Sequence, residues 1–128
     1  MAYTLSETSI NKLKGIDSRL IKLVMRAIQT SPIDFIVLEG LRSQQRQIDL
    51  FKNGHSQRDG VKKKSEHQLG MAVDLAPYPI DWNDKKRFKI LSDHIKATAK
   101  KLGIKIVWGG DWSSFCDMPH YELVYNKK

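Results

Sequence analysis

Cysteine is almost absent from this sequence: Cys116 is the one thiol in 128 residues. An internal disulfide is therefore impossible, and so is a metal site built from several cysteines. Long apolar runs are also missing. None approaches the roughly 20 residues a helix needs to cross a bilayer, so no stable membrane insertion is expected. Acidic residues are outnumbered, 14 against 22 Lys and Arg, for a formal net charge of +8. That excess favours polyanionic partners, whether nucleic acid, anionic membrane or cell-wall polymer, and does not choose among them. The first residues, Met1 to Asn11, are polar and lack a basic start followed by an apolar stretch. No secretory leader is expected there, and the protein is expected to stay in the cytoplasm that makes it until something else releases it.

What is present suits one folded domain over residues 1–128: 41% of the chain is hydrophobic, enough for one core. Thr4 and Glu7 fit a helix-opening capping box, and Ile10, Leu13, Ile16, Leu20, Val24 and Ala27 recur at helical spacing. This predicts one helix from about Ser6 to Thr30, stopped by Ser31-Pro32. Ile33 to Leu38 reads as a strand. Ser43 caps a second helix running through Gln47, Leu50 and Phe51 to Asn53-Gly54. His55 to Glu66, with Lys62, Lys63 and Lys64 in a row, has no periodicity and reads as a loop. Met71 to Ala76 reads as a buried strand closed by Pro77 and Pro79. Asp81 to Asp84 turns into a third helix that ends at Leu102, with Phe88, Leu91, Ile95 and Ala99 inward and Gly103 as its cap. Ile104 to Trp108 and Pro119 to Tyr125 are further strands, joined through Gly109-Gly110, and a charged tail follows. Helices and strands mix without a regular alternation, so the expected class is α+β, a mainly antiparallel sheet flanked by helices.

Chemistry concentrates in two stretches. Asp74 interrupts the apolar strand Gly70-Met71-Ala72-Val73-Asp74-Leu75-Ala76. A carboxylate in such a place needs a cation, strong donors or a shifted pKa. His67, seven residues earlier and just before Leu69-Gly70, is placed to fold back beside it. Pairing of Asp74 with an arginine would explain the same residues. His120 then opens the last strand, where alternation puts His120 and Glu122 on one face and Tyr121 and Leu123 on the other. Two histidines and an aspartate make three ligands, the number typical of catalytic zinc, which leaves one position open. Asp117, three residues before His120, is near enough to accept a proton from water activated there.

Ser65-Glu66-His67-Gln68-Leu69-Gly70-Met71-Ala72-Val73-Asp74 resembles the S-x-H-x-x-G-x-A-x-D signature of the D-alanyl-D-alanine carboxypeptidase and L-alanyl-D-glutamate endopeptidase family of zinc peptidases. Trp108-Gly109-Gly110-Asp111-Trp112, Phe115, Asp117 and Pro119-His120-Tyr121-Glu122 resemble its endopeptidase branch, which includes phage endolysins and bacterial wall hydrolases. The resemblance spans about Phe35 to Val124. It implies one Zn2+ per chain held by His67, Asp74 and His120, with Asp117 as general base; many relatives have glutamate at that position. It implies Arg42, in Glu39-Gly40-Leu41-Arg42-Ser43, as the oxyanion-stabilising arginine, a role suited to a guanidinium that stays protonated. Ser65 matches the motif serine and is assigned to positioning. Asp111 and Trp112 match the motif too, and a turn carboxylate and a packed tryptophan account for them as well as substrate contact does.

The expected activity is hydrolysis of peptidoglycan stems between L-alanine and D-glutamate, by a monomer acting as a phage endolysin. D,D-carboxypeptidase activity on the same fold is the alternative, and the segment from Asp117 to His120 speaks against it. A basic nucleic-acid-binding module has only charge and the lysine run in its favour, with no zinc-finger, helix-turn-helix or RNA-binding signature, so no nucleic acid partner is expected. His55 and His94 read as surface histidines, Cys116 as a small buried, inert residue, and Lys62 to Lys64 as a solvated run. Glu122 reads either as a partner orienting a metal-bound histidine or as half of a cross-strand salt bridge.

Overall fold

The computed structural model describes residues 3–114 and 116–125. Phe115 and the charged tail at 126–128 lie outside the described residues. The predicted first helix is two helices, α1 (Glu7–Lys12) and α2 (Ser18–Thr30). Apolar periodicity runs through the break, and two local features override it. Gly15 takes φ +86°, which a right-handed helix cannot contain. Asp17 then caps α2, its carboxylate accepting from Arg19 N, while its own N–H donates to Gly70 O at 2.8 Å. The cap of α1 is Ser6, accepting from Ser9 N, in place of the expected Thr4 and Glu7 pair.

Strand β1 (Phe35–Glu39) leads to α3 (Gln44–Lys52), capped by Ser43 as expected. β2 (Ala72–Pro77), α4 (Lys85–Leu102), β3 (Ile106–Trp108), a 3-10 turn (Gly109–Asp111) and β4 (His120–Leu123) complete the chain. The last two strands are shorter than the sequence suggests. Asp84 caps α4 and Gly103 closes it in the left-handed conformation. The sheet is antiparallel throughout, in the order β1-β2-β4-β3. One apolar cluster lies between it and the helices, joining Leu20, Leu23 and Val24 of α2 and Leu91, Ile95 and Ala99 of α4 to Phe35, Val37, Val73, Leu75, Tyr121 and Leu123. Burial of these side chains is the main stabilising term, roughly 1.5–3 kcal/mol for each large one. Two polar contacts tie helices to this frame. Ser9 Oγ accepts from Val37 N at 3.0 Å, occupying an N–H of edge strand β1. His94 corrects the surface reading: half-buried on α4, its Nε2 bonds Ala27 O at 2.9 Å at the end of α2.

Register positions the chemistry. Asp74 of β2 faces His120 on β4 and, through an irregularity between Val37 and Glu39, faces Glu39 on β1. Three polar residues thus meet across the middle of the sheet, at a level where Val73 pairs with Tyr121 in the core.

Candidate active site

His67 comes from the turn before β2, where Met71 N donates to Glu66 O and Arg42 N donates to His67 O. Its side chain is 3% exposed, that of His120 8% and that of Asp74 15%. Their ligand atoms form a small triangle: His67 Nε2 to Asp74 Oδ1 3.0 Å, His67 Nε2 to His120 Nδ1 3.2 Å, and His120 Nδ1 to Asp74 Oδ1 3.3 Å. Donors of a tetrahedral zinc site, at about 2.0–2.1 Å from the ion, stand about 3.3 Å apart, so the triangle has the size of one tetrahedral face.

The remaining ring nitrogens settle the tautomers. His67 Nδ1 faces Gly40 O at 3.0 Å and His120 Nε2 faces Glu122 Oε1 at 2.8 Å. A carbonyl and a carboxylate can only accept, so both of these nitrogens carry hydrogen. The nitrogens aimed at Asp74 are then lone pairs in the neutral rings. Two lone pairs and a carboxylate converging in a buried place call for a cation, and outward hydrogen bonds of this kind are what metal-ligating histidines make. The described residues thus contain one His/Asp/His set that could hold a metal ion.

Without such an ion the site holds a proton. Burial opposes a charged His120, yet the Asp74 and Glu122 carboxylates prevail and push its pKa up to about 9. Burial likewise opposes ionisation of Asp74, and the neighbouring His120 and His67 hold it well below the usual carboxylate range.

Around the triad opens a cleft of about 610 Å³. Arg42, Ser65, Trp112 and Asp117 line it, together with the triad. Asp117 Oδ2 is 4.0 Å from His120 Nδ1, and burial, then the charge of Asp74, raise its pKa above the ordinary value. A raised pKa beside the triad suits a proton acceptor and donor. Gly109 makes this placement possible. Its N–H-accepting carbonyl takes Asp117 N at 3.0 Å, and a Cβ on Gly109 would collide with the Asp117 carbonyl. Trp112 lies against His120, ring centroids 5.1 Å apart. Ser65 exchanges bonds with Gln68, Ser65 N to Oε1 at 3.1 Å and Gln68 N to Ser65 Oγ at 3.3 Å, and so shapes the turn that delivers His67. Asp111 is turned elsewhere: it pairs with Lys96 at 2.6 Å, beside Trp108, and is not among the cleft residues.

Sequence reasoning missed how Arg42 is held. Glu39 grips the guanidinium twice, at 2.8 and 3.0 Å, and Gln47 Oε1 accepts from Nη1 at 2.7 Å. Burial raises the Glu39 pKa and the Arg42 charge more than offsets it, so the carboxylate stays ionised. Gln47 reads as an ordinary helix residue, yet it is fully buried. The spacing of Glu39 and Arg42 was the available signal for the pair. His55 is exposed, as expected. Cys116 is exposed, in place of the buried position expected, its Sγ 3.5 Å from Gly110 O. Glu122 is bonded to the imidazole of His120.

This fold is shared with peptidases of solved structure. An L-Ala D-Glu endopeptidase of Serratia marcescens, ChiX, superposes with a TM-score of 0.84 at 30% identity, covering 94% of this chain and 90% of that one. The vancomycin-resistance D,D-pentapeptidase VanY, solved with Zn(II), has a TM-score of 0.57 at 19% identity over 86% of this chain and 73% of its own, a likeness of fold alone. The L-alanyl-D-glutamate peptidase of Escherichia phage T5 is 33% identical over 120 residues, 91% of this chain and 87% of that protein. The chain matches the phage L-alanyl-D-glutamate peptidase family over residues 1–124 and belongs to it.

Proposed function

We propose that this protein is a zinc-dependent L-alanyl-D-glutamate endopeptidase of peptidoglycan, working as a phage endolysin. The observation that carries the reading is the triangle of His67 Nε2, Asp74 Oδ1 and His120 Nδ1, each histidine held from behind by an acceptor. Family membership supplies the substrate class. A zinc ion held by these residues would polarise the scissile carbonyl and make water acidic enough to attack near neutral pH. Asp117 accepts the proton of the attacking water and returns it to the leaving amine. Arg42, fixed by Glu39 and Gln47, keeps N–H groups for the carbonyl oxygen as negative charge develops on it. Ser65 sets the His67 turn, and Trp112 walls the cleft and packs on His120. No covalent enzyme intermediate is required.

One His/Asp/His set among the described residues supports one zinc per chain, and the reading takes the protein to act as a monomer. The phage relative supports a route from the host cytoplasm to the wall. No helix among the described residues is long and apolar enough to cross a membrane.

Digestion of purified peptidoglycan tests the reading, with products resolved by mass spectrometry and N-terminal labelling. The expected products are new alanine C-termini and new glutamate N-termini. Release of free D-alanine would assign the chain to carboxypeptidase chemistry instead.

A further inference from the structure

The loop from His55 to Lys64 is polar and basic in sequence, yet it is fastened at three points. Buried Gln47 donates from Nε2 to Ser56 Oγ and to Arg58 O, each at 2.7 Å. Gln68 Nε2 donates to Gly60 O at 3.0 Å. Asp59 Oδ1 accepts from the N–H groups of Val61, Lys62 and Lys63 at 2.9 to 3.0 Å. A merely solvated loop needs no such framework. The same Gln47 also accepts from Arg42, so the loop is locked to the guanidinium nearest the reaction.

Among the described residues the cleft lining contains five carboxylates, Glu39, Glu66, Asp74, Asp117 and Glu122. Arg42 is committed to Glu39. Among the described lining residues Arg58 is the other permanent cation, and it is exposed. Its backbone is pinned on both sides, by Ser56 Oγ at 3.2 Å and by Gln47, and the residue lines the cleft. The lysines at 62–64 do not line the cleft.

We propose that Arg58 is a specificity-determining residue that binds a carboxylate of the substrate residue on the leaving side of the scissile bond. The inference rests on the endopeptidase function proposed above. A glutamate joined to alanine through its amine retains its carboxyl groups on that side. Where the stem continues through one of them, the other is free and ionised at neutral pH. With Arg42 gripped by Glu39, Arg58 is the cation among the described lining residues left to meet that carboxylate, and its planar guanidinium matches a carboxylate bidentately.

The test compares kcat/KM for two metal-loaded reactions on matched stem peptides. One peptide has D-glutamate with its free carboxylate; the other has the amide, D-isoglutamine, at the same place. Wild-type protein should prefer the acid by roughly ten- to hundredfold, the range for a charge-assisted hydrogen bond. In Arg58→Gln that preference collapses toward one, mainly through KM, and Arg58→Lys retains part of it. The ratio does not depend on how much of the variant is folded. Equal loss on both peptides, or a wild type indifferent to the amide, overturns the role of Arg58 and leaves the proposed function intact. Failure of loaded wild type to cut either peptide overturns the function and this inference with it.

Discussion

His120 and Glu122 share one face of β4, and the imidazole Nε2–H donates to Glu122 Oε1 at 2.8 Å. The contact fixes the tautomer that turns Nδ1 toward Asp74 and His67. Removing such a partner typically weakens metal binding about 10–100-fold. Glu122→Ala should show that loss in a competition titration against a coloured chelator. Glu122→Gln, which still offers an accepting oxygen, should lose less. Equal affinities for all three proteins would mean that the contact does not orient a ligand.

Asp117 stands close to the triad without being part of it. Asp117→Asn should lower kcat by about 10²–10⁴, the usual contribution of a positioned base, with metal content unchanged. Metal analysis beside the kinetics separates the two effects. Loss of the metal in this variant would make Asp117 a ligand.

Removal of metal should expose a pH dependence that the loaded protein lacks. His120 in the metal-free state has its pKa raised from 6.5 to about 9. A raised folded-state value adds stability in full below 6.5 and loses it as pH climbs through about 9. Asp74 is shifted the opposite way, so its contribution is present above the ordinary 3.8 and goes only on strong acidification. The melting temperature of chelator-treated protein should therefore fall between pH 6.5 and 9. Metal-loaded protein, with His120 neutral, should be flatter there, and its metal affinity should weaken as pH is lowered. Parallel melting profiles with and without chelator would contradict this.

How far the sequence reveals the site depends on distance along the chain. His67 and Asp74 are seven apart, and alternation places His120 beside Glu122, so spacing draws notice to these residues, while the resemblance implies that they act as one set. The clamp on Arg42 escapes it, because a polar residue such as Gln47 on a polar helix looks solvent-facing. Only the folded loop, with Ser56 and Arg58 waiting for its amide, makes burial affordable in hydrogen bonds. The break before α2 escapes for a similar reason: the bond from Asp17 to Gly70 joins segments more than fifty residues apart. His94, bonded to Ala27 O, is a third contact that no local pattern announces.

Arg42 should not tolerate its usual conservative replacement. Lysine cannot grip Glu39 at two oxygens, reach Gln47 and still present donors to the substrate. Arg42→Lys should lower kcat by about 10²–10³, the range for losing one oxyanion donor. Unchanged kcat with a raised KM would move Arg42 from transition-state stabilisation to ground-state binding.

Gly109→Ala tests the backbone of the site. The added Cβ meets the Asp117 carbonyl and lies 3.0 Å from His120 Cβ, and neither atom is the end of a flexible side chain. A displacement of these groups by about 1 Å should cost roughly 10² in activity. Circular dichroism should show the fold retained. Wild-type activity in this variant would mean that the 109–117 segment tolerates movement.

The most direct test of the central claim is zinc stoichiometry together with wall cleavage, measured on wild type and on His67→Ala, Asp74→Ala and His120→Ala. The account predicts one zinc per wild-type chain, cleavage that stops on chelation and returns with added zinc, and loss of both metal and cleavage in each variant. Cleavage that survives complete removal of metal, or a variant that keeps full zinc content without one of these three side chains, would contradict it.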